Sequence, residues 1–135
     1  MTDIMSRDKR SKLMSRIRST NTKPEMIVRR LLWHAGYRYR LHGKHLPGNP
    51  DIYFPSKRKA IFVHGCFWHL HPGCPNVRLP KSREDFWIPK LEGNRARDLE
   101  NQAKLRAMNW DVLVVWECET SDPVALLAKL REFLE

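Results

Sequence analysis

The sequence predicts an α/β domain: a small mixed β-sheet flanked by helices. Three patterns predict it. Ala60-Ile61-Phe62-Val63 is apolar throughout, as a strand buried on both faces must be. Asp111-Val112-Leu113-Val114-Val115-Trp116 is a second such run, and a crossover helix precedes it, so it should lie parallel to a neighbouring strand. The strand-like run Asp51-Ile52-Tyr53-Phe54 is joined to the one at Ala60 by a short turn, which favours an antiparallel pair and makes the sheet mixed.

The chain has 135 residues, enough for one domain with one real core. It is 41% hydrophobic and 30% charged, the balance of a globular protein. Lys and Arg number 25 against 15 acidic residues, a formal charge of +10. Such an excess favours a polyanionic partner, nucleic acid ahead of an acidic membrane surface. No apolar run approaches the ~20 residues of a membrane span, and the polar N-terminus does not read as a signal peptide. Three cysteines are an odd number for a disulfide framework, so a reducing cytosol and metal ligation are expected.

Residues 1–20 are basic, with Arg7, Lys9, Arg10, Lys12, Arg16 and Arg18. Leu13, Met14 and Ile17 recur at helical spacing, so part of this arm is read as a short helix able to lie on a phosphate backbone. Residues 21–135 are expected to form the single domain. Thr22 and Glu25 make a capping box, with Pro24 in the first turn, Ile27, Val28, Leu31, Leu32 and Ala35 as the apolar face, and Gly36 as the terminator. Tyr37 to Leu41 alternates aromatic and basic residues like an edge strand. A Gly- and Pro-containing loop leads to a strand at Asp51-Ile52-Tyr53-Phe54, and a turn at residues 55–59 leads to the apolar strand. Ser82 is a candidate cap for a short helix carrying Phe86, Trp87 and Leu91, which Pro89 should break or kink. A longer helix is expected from about Asn94 to Met108, with Ala96, Leu99, Ala103 and Ala107 on one face. Asp122, with Pro123 behind it, caps a last helix that docks through Leu126, Leu127, Leu130, Phe133 and Leu134. Trp33, Trp110 and Trp116 fall on these patterns and are assigned to the core.

The chemistry gathers at His64-Gly65-Cys66-Phe67-Trp68-His69-Leu70-His71-Pro72-Gly73-Cys74, directly after the apolar strand. Cys66, His71 and Cys74 lie close in sequence, and Cys118 stands just past the last strand. If the two apolar strands are neighbours, Cys118 reaches the loop and completes a Cys3His set, the donor set of a closed structural Zn2+ site. Ordinary free cysteines are the plainer alternative.

Asp51 opens a strand beside the one that ends at His64. A carboxylate there can hold a hard Mg2+ that polarises a phosphate, although a Pro-Asp pair is also common turn chemistry. His64 and His69 are not needed for the Zn2+ set and titrate near neutral pH, which suits phosphate contact and proton transfer. Asp98 on the long helix can orient one imidazole, and Glu25 reads first as a capping carboxylate. Phe67 and Trp68 fit no helix or strand period, Trp87 stands among charged residues on the short helix, and large rings beside a cationic surface can wedge between bases, most cheaply at a mispaired step. A zinc-stabilised nucleic-acid-binding module without catalysis would carry many of the same features.

Beyond these single readings, the chain resembles the very-short-patch-repair DNA mismatch endonucleases over nearly its whole length. The resemblance runs through Arg10-Ser11-Lys12, Pro24-Glu25, Leu46-Pro47-Gly48, Pro50-Asp51, Phe62-Val63-His64-Gly65-Cys66-Phe67-Trp68-His69, Glu84, Phe86-Trp87, Lys90, Asn94, Arg97-Asp98 and Val115-Trp116-Glu117-Cys118. It implies a bacterial enzyme of type II restriction-endonuclease-like fold that nicks one strand 5′ to the thymine of a thymine–guanine mismatch left by deamination of 5-methylcytosine. It implies Mg2+ on Asp51 and on the backbone carbonyl of Val63, where family members can carry Thr. It further implies His69 oriented by Asp98 for proton transfer, His64 backed by Glu25 for phosphate positioning, Zn2+ on Cys66, His71, Cys74 and Cys118, and Phe67, Trp68 and Trp87 as the wedge. The expected setting is a monomer in the bacterial cytoplasm at the nucleoid. A cytosine-5 DNA methyltransferase and mismatch-repair and gap-filling proteins would be its functional associates.

Overall fold

The computed structural model describes residues 21–78 and 83–135. The expected basic arm at residues 1–20 and the Ser82 cap therefore lie outside the described residues. Helix α1 spans Lys23–His34, followed by strands β1 (Arg40–Leu41), β2 (Ile52–Phe54) and β3 (Lys59–His64). Helix α2 spans Glu84–Ala107, β4 spans Asp111–Trp116, a 3-10 turn covers Glu117–Ser121, and helix α3 spans Pro123–Leu134.

The strands form one sheet in the order β1-β2-β3-β4. β1 and β2 are antiparallel, as are β2 and β3, whereas β3 and β4 are parallel. The mixed sheet is as expected. Its parallel pair runs from Lys59 opposite Asp111 to His64 opposite Trp116, so the two apolar strands finish level with each other. Cys66 and Cys118 stand the same short distance beyond those ends.

Both faces of the sheet are covered, which is why β3 reads as continuously apolar. On one face Val28 and Leu32 of α1 and Leu126, Leu130 and Leu134 of α3 pack on Ile52, Phe54, Ile61 and Val115. On the other, Leu105 of α2 packs with Leu46, Ala60, Phe62 and Trp110. The alternation of Ala60, Ile61 and Phe62 between the two clusters follows the period of two along a strand.

The N-caps fall at the expected Thr22 and Asp122, but the expected Thr22–Glu25 capping box is only half made, because Glu25 Oε1 accepts from the Asn21 N–H at 3.2 Å in place of the Thr22 N–H. Thr22 Oγ1 accepts from the Glu25 N–H at 3.3 Å, and Asp122 Oδ1 accepts from the Ala125 N–H at 3.2 Å. Gly36 takes φ +94, and the Tyr37 N–H returns to the Leu32 carbonyl at 3.0 Å, closing α1 as a left-handed C′ residue does. The edge strand is shorter than the expected Tyr37 to Leu41, because only Arg40 and Leu41 pair with β2.

Three expectations fail. Pro89 does not divide the helices: α2 runs unbroken for 24 residues. Pro89 is exposed and near the helix start, so it removes one backbone bond on the solvent side, while Leu91 just beyond is fully buried and anchors the segment. Second, the face of α2 that carries Ala96, Leu99, Ala103 and Ala107 is not the buried one. All four are exposed, and Leu91, Gln102 and Leu105 are the buried positions. Third, Trp33 is 50% exposed, with the Arg38 guanidinium 3.6 Å from its ring centre. That contact supplies by cation–π attraction what burial was expected to supply.

Leu130→Ala, at a fully buried position, should lower the unfolding free energy by about 2–5 kcal/mol, whereas Trp33→Ala should cost no more than about 1 kcal/mol. Urea midpoints of the two variants measure the difference.

Candidate active site and metal centre

The site lies where the sheet meets the polar face of α2. Asp51 immediately precedes β2, and the Val63 N–H of β3 donates to its Oδ2 at 2.7 Å, fixing the carboxylate against the neighbouring strand. His64 ends β3 and is 5% exposed. Its ring stacks on His69 with centroids 3.9 Å apart and planes within 6°. The edge of Trp116, its parallel partner in β4, approaches at 5.4 Å. His69 Nδ1 lies 2.5 Å from Asp98 Oδ2 on α2. An ionised carboxylate only accepts, so Nδ1 carries the proton and Nε2 becomes the atom with which this ring can exchange one. Asp51, Val63, His64, His69, Asp98 and Gln102 border a cavity of about 260 Å³.

Burial governs the charges here. It raises the Asp51 carboxyl from 3.8 to about 7; the Val63 N–H and His69 oppose the rise, and the Glu25 charge adds to it. Burial, with the neighbouring His69 charge, lowers His64 to about 4, although Asp98 pulls the other way. His64 is therefore a neutral imidazole at pH 7. Burial disfavours the charged form of Asp51, and a divalent cation beside it would favour that form again.

Glu25 is 1% exposed. Its oxygens accept from the Asn21 N–H at 3.2 Å, from His42 Nε2 at 3.1 Å and from Arg29 Nη1 at 3.4 Å. Its imidazole partner is thus His42 rather than the expected His64, because the chain enters β2 through a loop that turns residue 42 toward α1. Sequence reasoning missed His42, seventeen residues from Glu25, since no local pattern links them.

Beside the cavity, Cys66, His71, Cys74 and Cys118 present ligand atoms all within 4.8 Å of one another, a set that can hold a metal ion. The level ends of β3 and β4 bring Cys118 to the loop, as expected. His71 Nδ1 lies 3.5 Å from Cys118 Sγ, and its ring stacks on Trp116 at 4.1 Å. The Cys66 N–H donates to Glu117 Oε1 at 3.4 Å, a second-layer contact the sequence did not signal. Burial pushes the Cys66 thiol up to about 12, with the Cys118 and Cys74 side chains adding to the rise, and burial also raises Cys118, where Cys66 opposes the rise and Cys74 adds to it. Three crowded thiols ionise together only against a cation, so the donor chemistry fits a thiophilic metal.

Phe67, Trp68 and Trp87 pack edge to face, with centroids 5.1 to 5.9 Å apart, and each is half-buried rather than fully exposed. Phe86, 44% exposed, meets Trp87 at 5.2 Å, and Lys90 Nζ stands 5.6 to 5.9 Å from the Phe86, Trp87 and Trp68 rings. The Asn94 amide donates to the Trp68 carbonyl at 3.2 Å. Phe67, Trp68, Lys90 and Asn94 border a second cavity of about 530 Å³, and Val63 and His69 border both. An aromatic, cationic wall thus adjoins the carboxylate–histidine cluster.

Comparison with known proteins agrees in family and fold. The model of the DNA mismatch endonuclease Vsr family matches residues 2–76, more than half of the chain. The chain is 58% identical to the type II nicking enzyme V.XorIIP of Xanthomonas oryzae pv. oryzae, over 100% of this chain and 98% of that protein. It is 40% identical to the type II nicking enzyme V.NmeAIP of Neisseria meningitidis, over 99% and 95%. It is 36% identical to the DNA mismatch endonuclease Vsr of Escherichia coli, over 99% and 88%. The catalytic domain of the homing endonuclease I-Bth0305I superposes with a TM-score of 0.59 at 20% identity, covering 84% of this chain and 94% of that domain, so the expected endonuclease fold is present.

The Asp51 shift has a definite sign. Its folded-state value lies above the ordinary one, so the folded protein keeps a proton that the unfolded chain releases between about pH 4 and 7, and stability falls as pH rises through that window. Without added divalent cation, Asp51→Asn should raise the melting temperature at pH 8, by roughly 1–3 kcal/mol of stability, and leave it unchanged near pH 3. Thermal melts across pH check this.

Proposed function

This chain belongs to the Vsr family of DNA mismatch endonucleases, and from that premise we propose that it nicks one strand of duplex DNA 5′ to the thymine of a thymine–guanine mismatch, using Mg2+. The observation that carries the reading is the convergence of Asp51, His64, His69 and Asp98 on one cavity beside the Phe67–Trp68–Trp87 cluster.

The residues divide the work by their surroundings. Asp51, raised by burial, and the Val63 carbonyl are the groups that would hold Mg2+, which supplies Lewis-acid polarisation of the scissile phosphate. His69, its Nδ1–H held by Asp98, presents Nε2 for proton exchange with the attacking or departing oxygen. His64, neutral and stacked on His69, offers an uncharged donor to a phosphate oxygen and keeps the His69 ring in plane. Glu25 acts on the cluster through its field at Asp51. Val63 keeps a carbonyl ligand but lacks the hydroxyl that a Thr would add. Cys66, His71, Cys74 and Cys118 would hold Zn2+, closing the loop that carries His69 and two of the three wedge rings. Phe67, Trp68 and Trp87 would enter the base stack where a wobble pair is cheapest to open.

The formal charge of +10 supports a duplex DNA substrate. A monomer acting at the nucleoid in the bacterial cytoplasm fits the bacterial relatives. Lesions from 5-methylcytosine would tie it to a cytosine-5 DNA methyltransferase and to mismatch-repair and gap-filling proteins. Among the described residues no helix is long and apolar enough to cross a membrane.

The test is an end-labelled duplex carrying one thymine–guanine pair, with Mg2+. A single nick 5′ to the thymine is expected, and Asp51→Ala should slow it by ~10³-fold or more, given the several kcal/mol of charge stabilisation lost. Equal cutting of fully paired DNA, or undiminished cutting by Asp51→Ala, overturns the reading. Binding should weaken by ~10³–10⁵ between 50 and 200 mM salt if about 6–10 phosphates are contacted.

Cys118→Ser should abolish stoichiometric zinc and lower the melting temperature, read by elemental analysis and calorimetry. Zinc retained at full occupancy in that variant would remove Cys118 from the ligand set.

A further inference from the structure

His42 reaches the catalytic cluster from both of its ends. Its ring Nε2 donates to Glu25 Oε2 at 3.1 Å, and its backbone N–H donates to the carbonyl of Asp51 at 3.0 Å. Gly43 repeats the backbone tie to the Pro50 carbonyl at 3.0 Å, so the segment just before Asp51 is held twice. Glu25 is almost wholly buried, and its other donors, the Asn21 N–H and Arg29 Nη1, come from α1 and the residue before its cap. His42 is thus the donor that joins the Glu25 carboxylate to the strand carrying Asp51.

His42 takes φ +53, in the left-handed region where a β-carbon is crowded and glycine or asparagine is the common occupant. Such a conformation persists where surrounding contacts over-determine it, and it concentrates at functional sites. Here the contacts are the two bonds just named, and releasing the backbone would swing the ring away from Glu25.

We infer that His42 is a positioning residue of the nuclease centre: it sets the Glu25 carboxylate relative to Asp51, and thereby how tightly Asp51 takes up a divalent cation. Because one residue bonds both to the Glu25 carboxylate and to the Asp51 backbone, a small displacement of either carboxylate changes the negative potential that a cation meets. Without the Nε2 donor, the remaining donors hold Glu25 on the α1 side alone. The inference rests on the nuclease reading above for its consequence in catalysis, but not for its consequence in cation binding.

The experiment compares wild type with His42→Gln, His42→Leu and His42→Gly in the zinc-replete full chain. Mn2+ binding is measured by calorimetry, the relevant site being the one lost in Asp51→Asn, and single-turnover nicking is measured on the mismatched duplex. His42→Leu and His42→Gly should weaken Mn2+ binding and slow nicking by about 10–100-fold, the usual effect of losing an outer-layer partner, with duplex affinity changed by no more than about twofold. His42→Gln, whose amide can donate to the same oxygen, should recover most of both. His42→Gly relieves the positive φ, so a loss of Mn2+ affinity in a variant that melts no lower than wild type cannot come from unfolding. Wild-type Mn2+ affinity in His42→Leu and His42→Gly overturns the inference, as does His42→Gln failing as badly as His42→Leu. If wild type does not nick mismatched DNA but the Mn2+ affinities follow this order, the nuclease reading falls and the positioning role stands.

Discussion

The parallel pairing of β3 with β4 is the constraint on which the rest depends. Its register ends both strands at the same level, His64 opposite Trp116. From that level, Cys66 and Cys118 meet with His71 and Cys74, and His64 is pressed between Trp116 and His69. A one-residue slip would turn every side chain of one strand to the other face, exchanging Ile61 with Phe62 between the two cores and separating the cysteines. The two cores that hold the register are therefore also what hold the cysteine–histidine cluster together.

Helix α2 shows what the site costs the fold. A 24-residue helix against a sheet would ordinarily bury a stripe of large apolar residues. This one leaves Leu99 56% exposed and turns Asp98 and Gln102 inward to the cavity, with Asn94 reaching the aromatic wall. Its burial is concentrated at Leu91 and Leu105, on either side of those polar residues. The helix is thus fastened at two places and carries the functional face between them. Its amide at Asn94 and carboxylate at Asp98, one turn apart, address consecutive residues of the loop, the Trp68 carbonyl and the His69 ring.

The buried ionisable groups are arranged as two deficits of positive charge. At one, burial raises Asp51 to about 7, with the Glu25 charge adding to the rise. At the other, three thiols crowd one imidazole, and Cys66 is pushed up to about 12. The donor types differ, hard oxygen against soft sulfur and nitrogen, and the two groups come from separate parts of the chain: Asp51 from the segment before β2, the thiols and His71 from the segments that follow β3 and β4.

Much of this was legible in the sequence because its signals are local. Capping residues Thr22 and Asp122, the terminator Gly36 and the apolar runs of β3 and β4 act within a few residues of themselves, so a linear reading finds them. The Cys66, His71, Cys74 and Cys118 cluster was legible too, because the crossover rule places the last strand beside the third. The sequence alone also determined the charge and, through the His64 to His69 run, the family. Only the tertiary structure decided which face of α2 turns inward, that Pro89 is tolerated, that Trp33 stays at the surface, and that Glu25 pairs with His42. Each of these depends on contacts between residues distant along the chain. What decides them is the local balance of burial, hydrogen bonding and charge, which exists only once the elements have packed.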